Sequence, residues 1–297
     1  MNIGFNDKVA IITGAGNGLG RCYAIELARR GALVVVNDWD SPAALEVVEE
    51  IRSWGGSAVA DFNSVAEESS SASIVKTALD TYGKVDILVN NAGILMDKSF
   101  SKMTAEDFDQ VIKVHLYGSY FLTRAAFPLM REQGFGRIVM TTSTAGLYGN
   151  FGQANYGAAK LGIVGLMGAL RDEGSRYNVL INTVAPLAAT RMTIGTFPPE
   201  ILAHMRTEHV AALVLYLCSE VCITTGQVIS AGTGFYARDA MMEGRGYRFE
   251  NAAVITPEMI AAKYEVITDL SEAITIDSAG ASVLRIVEPI FNKIKNV

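Results

Sequence analysis

The residues of this chain best suited to do chemistry are Tyr156 and Lys160, four apart, with Ser143 thirteen residues ahead of the tyrosine. On a helix, positions i and i+4 share one face. A phenol with an ordinary pKa near 10 is a poor base at neutral pH. An ammonium group beside it favours the phenolate. The spacing therefore predicts that Lys160 draws down the pKa of Tyr156, which then exchanges a proton with an alcohol or carbonyl. Ser143 is placed to hydrogen-bond the same oxygen. A Tyr-x-x-x-Lys pair alone is usually structural, so its weight depends on its neighbours.

The first neighbour is Thr13-Gly14-Ala15-Gly16-Asn17-Gly18-Leu19-Gly20, directly after the apolar run KVAIIT. Glycines let a backbone turn tightly and come close to a pyrophosphate, and a helix N-terminus offers it free N–H groups. Gly14, Asn17, Gly18, Leu19 and Gly20 are the candidate contacts. Asp38 lies 18 residues past Gly20, where a carboxylate accepts hydrogen bonds from adenosine ribose hydroxyls and repels a 2′-phosphate. No Arg or Lys adjoins Asp38, and Asn17 rather than a basic residue sits inside the loop, so NAD is expected over NADP. Asn90-Asn91-Ala92-Gly93 ends a later apolar run and offers a second wall, with Asn91 and Gly93 as candidates; alone it is an ordinary turn.

These residues need a scaffold. Lys8–Thr13, Leu33–Asn37, Val85–Asn90, Gly136–Thr142 and Val179–Val184 read as strands, with Ser57–Asp61 and Gly226–Ala231 as weaker candidates. Helical stretches such as Gly20–Arg30, Ala43–Trp54, Asp107–Arg131 and Ala158–Tyr177 lie between them. Near-continuous Val/Ile/Leu strands alternating with helices predict a doubly wound α/β domain, a parallel sheet covered on both faces. The sheet is expected to be complete by about Ala231. Residues 1–235 would form the dinucleotide-binding and catalytic domain. Residues 236–297 would be a helical extension packing on it or on a second subunit, with Thr256-Pro257-Glu258 opening one helix and Val283–Ile294 forming another apolar stretch.

Composition narrows the function classes. The chain has 297 residues, 50% of them apolar and 19% charged, enough for a large core and against disorder. A net charge of −6 disfavours a nucleic-acid partner. No apolar stretch reaches the roughly 20 residues that span a bilayer. The N-terminus lacks a signal-peptide pattern, and Asn296-Val297 is not a peroxisomal ending, so a cytoplasmic location is expected. Cys22, Cys218 and Cys222 follow no disulfide or metal spacing and read as small core hydrophobes in a reduced chain. No metal site is expected.

Glycine loop, Asp38, Asn-Asn-Ala-Gly, Ser143, Tyr156, Lys160 and Val184-Ala185-Pro186 occur in one order. Together they resemble the short-chain dehydrogenase/reductases over about Asp7 to Gly234. The resemblance implies a Rossmann-type fold. It also implies Tyr156 as proton donor or acceptor, Lys160 on the nicotinamide ribose and Ser143 on the substrate. Ala188 to Thr190, with Ala189 and Thr190 foremost, would meet the carboxamide. Asp61 to Ser64, with Asp61 and Asn63 foremost, would line the adenine. Many members carry a relay asparagine where this chain reads His115-Leu116-Tyr117-Gly118, and the glycine usual after the proline is Leu187. His115 is then either a helix residue with satisfied nitrogens or a substitute for that asparagine.

A narrower likeness rests on Asn37-Asp38, His115-Leu116-x-Gly118-Ser119, Tyr148–Tyr156 and Thr256-Pro257-Glu258. These resemble the dehydrogenase part of the type-two peroxisomal multifunctional enzymes. That likeness implies oxidation of a 3-hydroxyacyl-CoA thioester and a homodimer or homotetramer. Leu187–Met205 falls where the family places a lid, and Met192, Ile194, Phe197, Ile201, Leu202 and Met205 suit an acyl chain or a steroid. Arg191 and Arg206 are candidates for coenzyme A phosphates, or plain surface charges. The runner-up enzyme is a hydroxysteroid or other cyclic-alcohol dehydrogenase. The non-enzyme alternative is a nucleotide-binding regulatory module, which would need a broken Ser–Tyr–Lys set.

Overall fold

The computed structural model describes residues 3–249, 254–276 and 278–295, with side chains as far as residue 288. Asn296 and Val297 and the last side chains of the Val283–Ile294 stretch lie outside the described residues. The chain divides into two compact units, Met1–Arg238 and Asp239–Val297.

The first unit alternates strand and helix. The order is β1 (Val9–Thr13), α1 (Gly18–Arg29), β2 (Leu33–Asn37), α2 (Ser41–Ser53), β3 (Ser57–Asp61), α3 (Glu68–Tyr82) and β4 (Ile87–Asn90). There follow α4 (Ala105–Ile112), α5 (Gly118–Gln133), β5 (Gly136–Thr141), α6 (Thr144–Tyr148), α7 (Ala154–Ser175) and β6 (Val179–Leu187). The unit closes with α8 (Pro199–Leu202), α9 (Thr207–Cys218), β7 (Val228–Gly232) and β8 (Phe235–Asp239). Strand order is β3-β2-β1-β4-β5-β6-β7-β8. The pairs from β3 to β7 are parallel. Chain direction across the sheet reverses between β1 and β4, the position where this architecture leaves a ligand crevice beyond the strand ends.

Both sheet faces are dry because every strand residue of β1, β4 and β5 is buried. One core lies under α1, α2 and α9 and includes Ile12, Val34, Val36, Val89 and Val214. The other lies under α3, α5 and α7 and includes Ile11, Leu88, Ile138, Met140 and Ile163. Register aligns the strand ends: Thr13 pairs with Asn37, Asn37 with Asp61, and Asn90 with Met140. Polar residues thus collect along one rim.

Three expectations change. The sheet does not finish at Ala231: Thr233 and Gly234, at φ 51° and 82°, turn the chain into β8 beside β7. Two consecutive positive φ values suit a two-residue hairpin. The stretch Asp107–Arg131 is helical throughout but not uniformly α, because a π-helical turn at Lys113–Tyr117 separates α4 from α5. The catalytic helix begins at Ala154 rather than Ala158. Serine-rich α3 has weak helical composition and forms because Ser71, Ile74, Val75 and Ala78 bury one face.

In the second unit β9 (Met242–Glu243) pairs antiparallel with β10 (Ile274–Thr275), a two-stranded pairing absent from the sequence reading. Helix α10 (Pro257–Thr268) starts as expected, with Thr256 Oγ1 accepting from Met259 N–H and proline at the first position. Helix α11 (Ala279–Lys295) is tied to β9 through Ser282 Oγ and Arg285, both on Glu243. Among the described residues no helix is long and apolar enough to cross a membrane.

Candidate active site

The glycine loop leaves β1 and enters α1 with Gly14 and Gly18 at φ +63° and +54°. Gly20 has no room for a side chain, since a Cβ there would stand 2.2 Å from the Gly14 carbonyl oxygen. Asn17 occupies the N-cap of α1, yet its side chain makes no capping bond and the first turn holds no acid. The N–H groups at Gly18, Leu19 and Gly20 therefore have no side-chain acceptor, as an anion-binding helix start requires.

Asp38 is buried at the end of β2, its oxygens accepting from Gly16 N–H at 2.9 Å and Asp40 N–H at 3.0 Å. Those two bonds fix the carboxylate and leave lone pairs for two ribose hydroxyls. Its own N–H donates to the Asp61 carbonyl, which brings the ends of β2 and β3 together. The Asp61 carboxylate is engaged by Asn37, Asn63 and Thr77, so it holds Asn63 in place. Asn91 braces the loop: its amide donates to the Thr13 carbonyl at 2.9 Å and its N–H to Thr13 Oγ1 at 3.0 Å. Thr190 lies against Gly18, with its methyl 3.3 Å from where a Gly18 Cβ would be. Ala189 N–H donates to the Met205 carbonyl at 2.6 Å. This cradle of loop, helix start and rigid carboxylate fits a dinucleotide.

Ser143, Tyr156 and Lys160 converge beside it. Ser143 caps α6, its Oγ accepting from Ala145 N–H at 3.2 Å, and its side chain is close enough to the Tyr156 hydroxyl to favour the phenolate. Lys160 Nζ lies 5.4 Å from the Tyr156 ring centroid and donates to the Thr141 carbonyl at 2.7 Å. Thr142 Oγ1 donates to the Lys160 carbonyl at 2.7 Å, fastening α7 to the end of β5.

The electrostatics differ from the sequence expectation. Burial raises the Tyr156 phenol above its ordinary value; the Ser143 hydrogen bond opposes that rise and the Asp97 charge adds to it. Burial also lowers the Lys160 ammonium to about 7. The reason is desolvation of both groups, with one neutral carbonyl as the lysine's acceptor. In the protein alone Lys160 thus yields its proton more readily than Tyr156 does, and does not itself draw the phenol down. Asp97 carried no spacing signal in the sequence, since it reaches the site only through loop geometry.

His115 sits in the π-helical turn, 1% exposed, with Nε2 2.8 Å from the Ile94 carbonyl and 3.0 Å from its N–H. Burial, with the nearby Lys160 charge, holds its pKa well below the usual imidazole value, so it is neutral. Its Nδ1 is buried without a partner among the described residues. The ring lies edge-on to Tyr156 and fills the space a Gly93 side chain would need. On the lid side Met192, Ile194, Phe197 and Ile201 are exposed, but Met205 is fully buried in the fold rather than part of an open apolar face. Arg206 pairs with Glu208 at 3.4 Å. No cluster of metal-ligating side chains occurs among the described residues. All three cysteines are free, Cys218 and Cys222 buried and Cys22 partly so.

A parallel sheet with this crevice and a Ser–Tyr–Lys set defines a class, and the family model described as short chain dehydrogenase matches residues 8–199. The chain belongs to that family of oxidoreductases acting on CH–OH groups. It is 50% identical to a Mycobacterium tuberculosis protein described as a short-chain type dehydrogenase/reductase, over 91% of this chain and 97% of that one. It is 42% identical to a hydroxyacyl-CoA dehydrogenase of the same organism, over 74% of this chain and 76% of that one. The structure of full-length peroxisomal multifunctional enzyme type 2 from Drosophila melanogaster matches with a TM-score of 0.85 at 38% identity, covering 98% of this chain. This chain spans half of that one. A 7α-hydroxysteroid dehydrogenase complexed with NADH and 7-oxo glycochenodeoxycholic acid matches with a TM-score of 0.73 at 32% identity, covering 78% of this chain and 96% of that one.

Proposed function

We propose that this protein uses NAD to oxidise the secondary hydroxyl of a 3-hydroxyacyl-CoA thioester to the 3-ketoacyl-CoA. The observation that carries the reading is Ser143 acting on the Tyr156 hydroxyl, with Lys160 Nζ 5.4 Å from the ring centroid and the dinucleotide cradle alongside. Ser143 and Tyr156 hold the substrate oxygen between them, and Tyr156 Oη takes its proton as the C–H bond breaks. Bound NAD supplies the hydride acceptor at nicotinamide C4. Lys160 holds the nicotinamide ribose, and positive charge gathered there favours the phenolate that burial opposes. His115 stands for the relay asparagine, its Nδ1 accepting from a water in the proton path. Asp38, fixed by two backbone N–H groups, supports NAD over NADP.

The acyl-CoA assignment draws on the hydroxyacyl-CoA dehydrogenase and multifunctional-enzyme likenesses. The exposed apolar residues of the lid suit such a chain. A steroid-like alcohol is the second reading, favoured by the likeness to the hydroxysteroid dehydrogenase. The outer face of α7, with Ala158, Leu161 and Gly165 exposed, supports a homodimer or homotetramer. Three free thiols support a reducing, cytoplasmic compartment.

NADH formation measured with (3R)- and (3S)-3-hydroxyacyl-CoA thioesters of several chain lengths, beside a hydroxysteroid panel, tests the reading. At least tenfold higher kcat/KM for a thioester is expected. The reverse ratio selects the steroid reading, and NADH binding without turnover of any alcohol selects a regulatory module.

A further inference from the structure

The turn that carries Tyr156 has an unusual fastening. Helix α7 opens at Ala154 behind Gln153, whose side chain makes no capping bond. The N–H of Tyr156, in the first turn, has no acceptor within the helix. Asn155 supplies one, its Oδ1 accepting from Tyr156 N–H at 2.8 Å. The same amide donates from Nδ2 to the carbonyls of Met96 and Asp107, each at 3.1 Å. Asn155 is 0% exposed. One side chain therefore joins the loop after β4, helix α4 and the start of α7.

Further bonds close the same seam. Lys98 N–H donates to the Gly152 carbonyl at 2.9 Å, and Gln153 Nε2 donates to Asp97 Oδ2 at 2.7 Å. Lys98 Nζ binds both oxygens of Asp107, at 2.9 and 2.7 Å, and Asp107 forms the capping box of α4 with Thr104. Apart from the buried Asp107, these groups are exposed or half-buried around an amide that water cannot reach.

We infer that Asn155 is a positioning residue for proton transfer, setting where the Tyr156 hydroxyl stands relative to Ser143 and the loop that walls the site. This rests on the reading of Tyr156 as the proton-transfer group. Reacting groups must be held to within a fraction of an ångström of their productive geometry, and an isolated helix end would fray. Asn155 fixes the first turn from inside while leaving the dinucleotide cradle untouched, so its loss should act on turnover and not on cofactor binding.

Asn155→Asp keeps the acceptor for Tyr156 N–H and sets an oxygen against two carbonyls; Asn155→Ala removes every bond. For each folded variant we expect kcat at least tenfold lower, NADH Kd within twofold of the parent and substrate KM within threefold. A folded variant with kcat within twofold of the parent overturns the assignment, as does a parallel loss of NADH affinity. Asn155→Ser, which retains a short donor and acceptor, is measured in the same way if both variants unfold. Failure of all three to fold makes Asn155 a scaffold residue and also overturns it. Tyr156→Phe separates the two ideas: if that variant turns over at the parental rate the proposed function fails, whatever Asn155 does.

Discussion

The imidazole of His115 stands edge-on to the Tyr156 ring, centroids 5.2 Å apart at 89°. Gly93 makes the arrangement possible: a Cβ there would lie 2.3 Å from His115 Cε1 and 3.0 Å from Nδ1. Gly93→Ala must therefore move the ring. Overpacking of this kind costs about 1–3 kcal/mol, and kcat should fall because Tyr156 loses its neighbour. In chemical denaturation Gly93→Ala/His115→Ala should be at least ~1 kcal/mol more stable than the sum of the single effects predicts. Strict additivity would show that the two sites do not touch.

Removing the hydroxyl of Tyr156 tests the chemistry most directly. General acid–base groups contribute about 10²–10⁴ in rate, so Tyr156→Phe should lower kcat by roughly 10³. NADH affinity, read from nicotinamide fluorescence, should stay within threefold.

Cofactor choice should respond to Asp38. Its carboxylate is held by Gly16 and Asp40 N–H groups beside the glycine loop. Asp38→Ala should lower the ratio of kcat/KM for NAD over NADP at least tenfold. An unchanged ratio would remove Asp38 from cofactor selection.

Stability should rise with pH because of Lys160. Its ammonium is lowered to about 7 by burial, whereas in the unfolded chain it keeps its usual pKa near 10.4. Above pH 7 the unfolded chain therefore holds a proton that the native chain has released, and the native state gains. Between pH 7 and 8.5 this amounts to about 1–2 kcal/mol. Lys160→Met should flatten that slope in the cofactor-free protein, measured by denaturation at each pH. Above that window the buried Tyr23 phenol and Cys218 thiol, both raised by desolvation, act in the opposite sense.

The sheet was legible because its strands are buried on both faces, so β1, β2, β4, β5 and β6 appear as plain runs of Val, Ile and Leu. The glycine loop and the Tyr156–Lys160 pair were legible because local spacing alone places them. What escaped depended on contacts distant in sequence. The π-helical turn around His115 has no composition of its own and shows itself only where the ring meets Gly93 and Ile94. The balance between Tyr156 and Lys160 is not legible in the sequence, because spacing reveals closeness but not the loss of water around both groups. Asn155 appeared in the sequence only as the residue before Tyr156, and its three partners come from three segments.

The excursion between Thr190 and His204 leaves and rejoins the domain at one point, where Ala189 N–H meets the Met205 carbonyl at 2.6 Å and the Met205 side chain is fully buried. With both ends anchored there, the stretch between them can change in length or composition at small entropic cost. Its Ile194 and Phe197 can be exchanged for bulkier or more polar segments without disturbing the strands. The stretch is thus a replaceable cassette, hung on a single seam and anchored apart from Ser143, Tyr156 and Lys160.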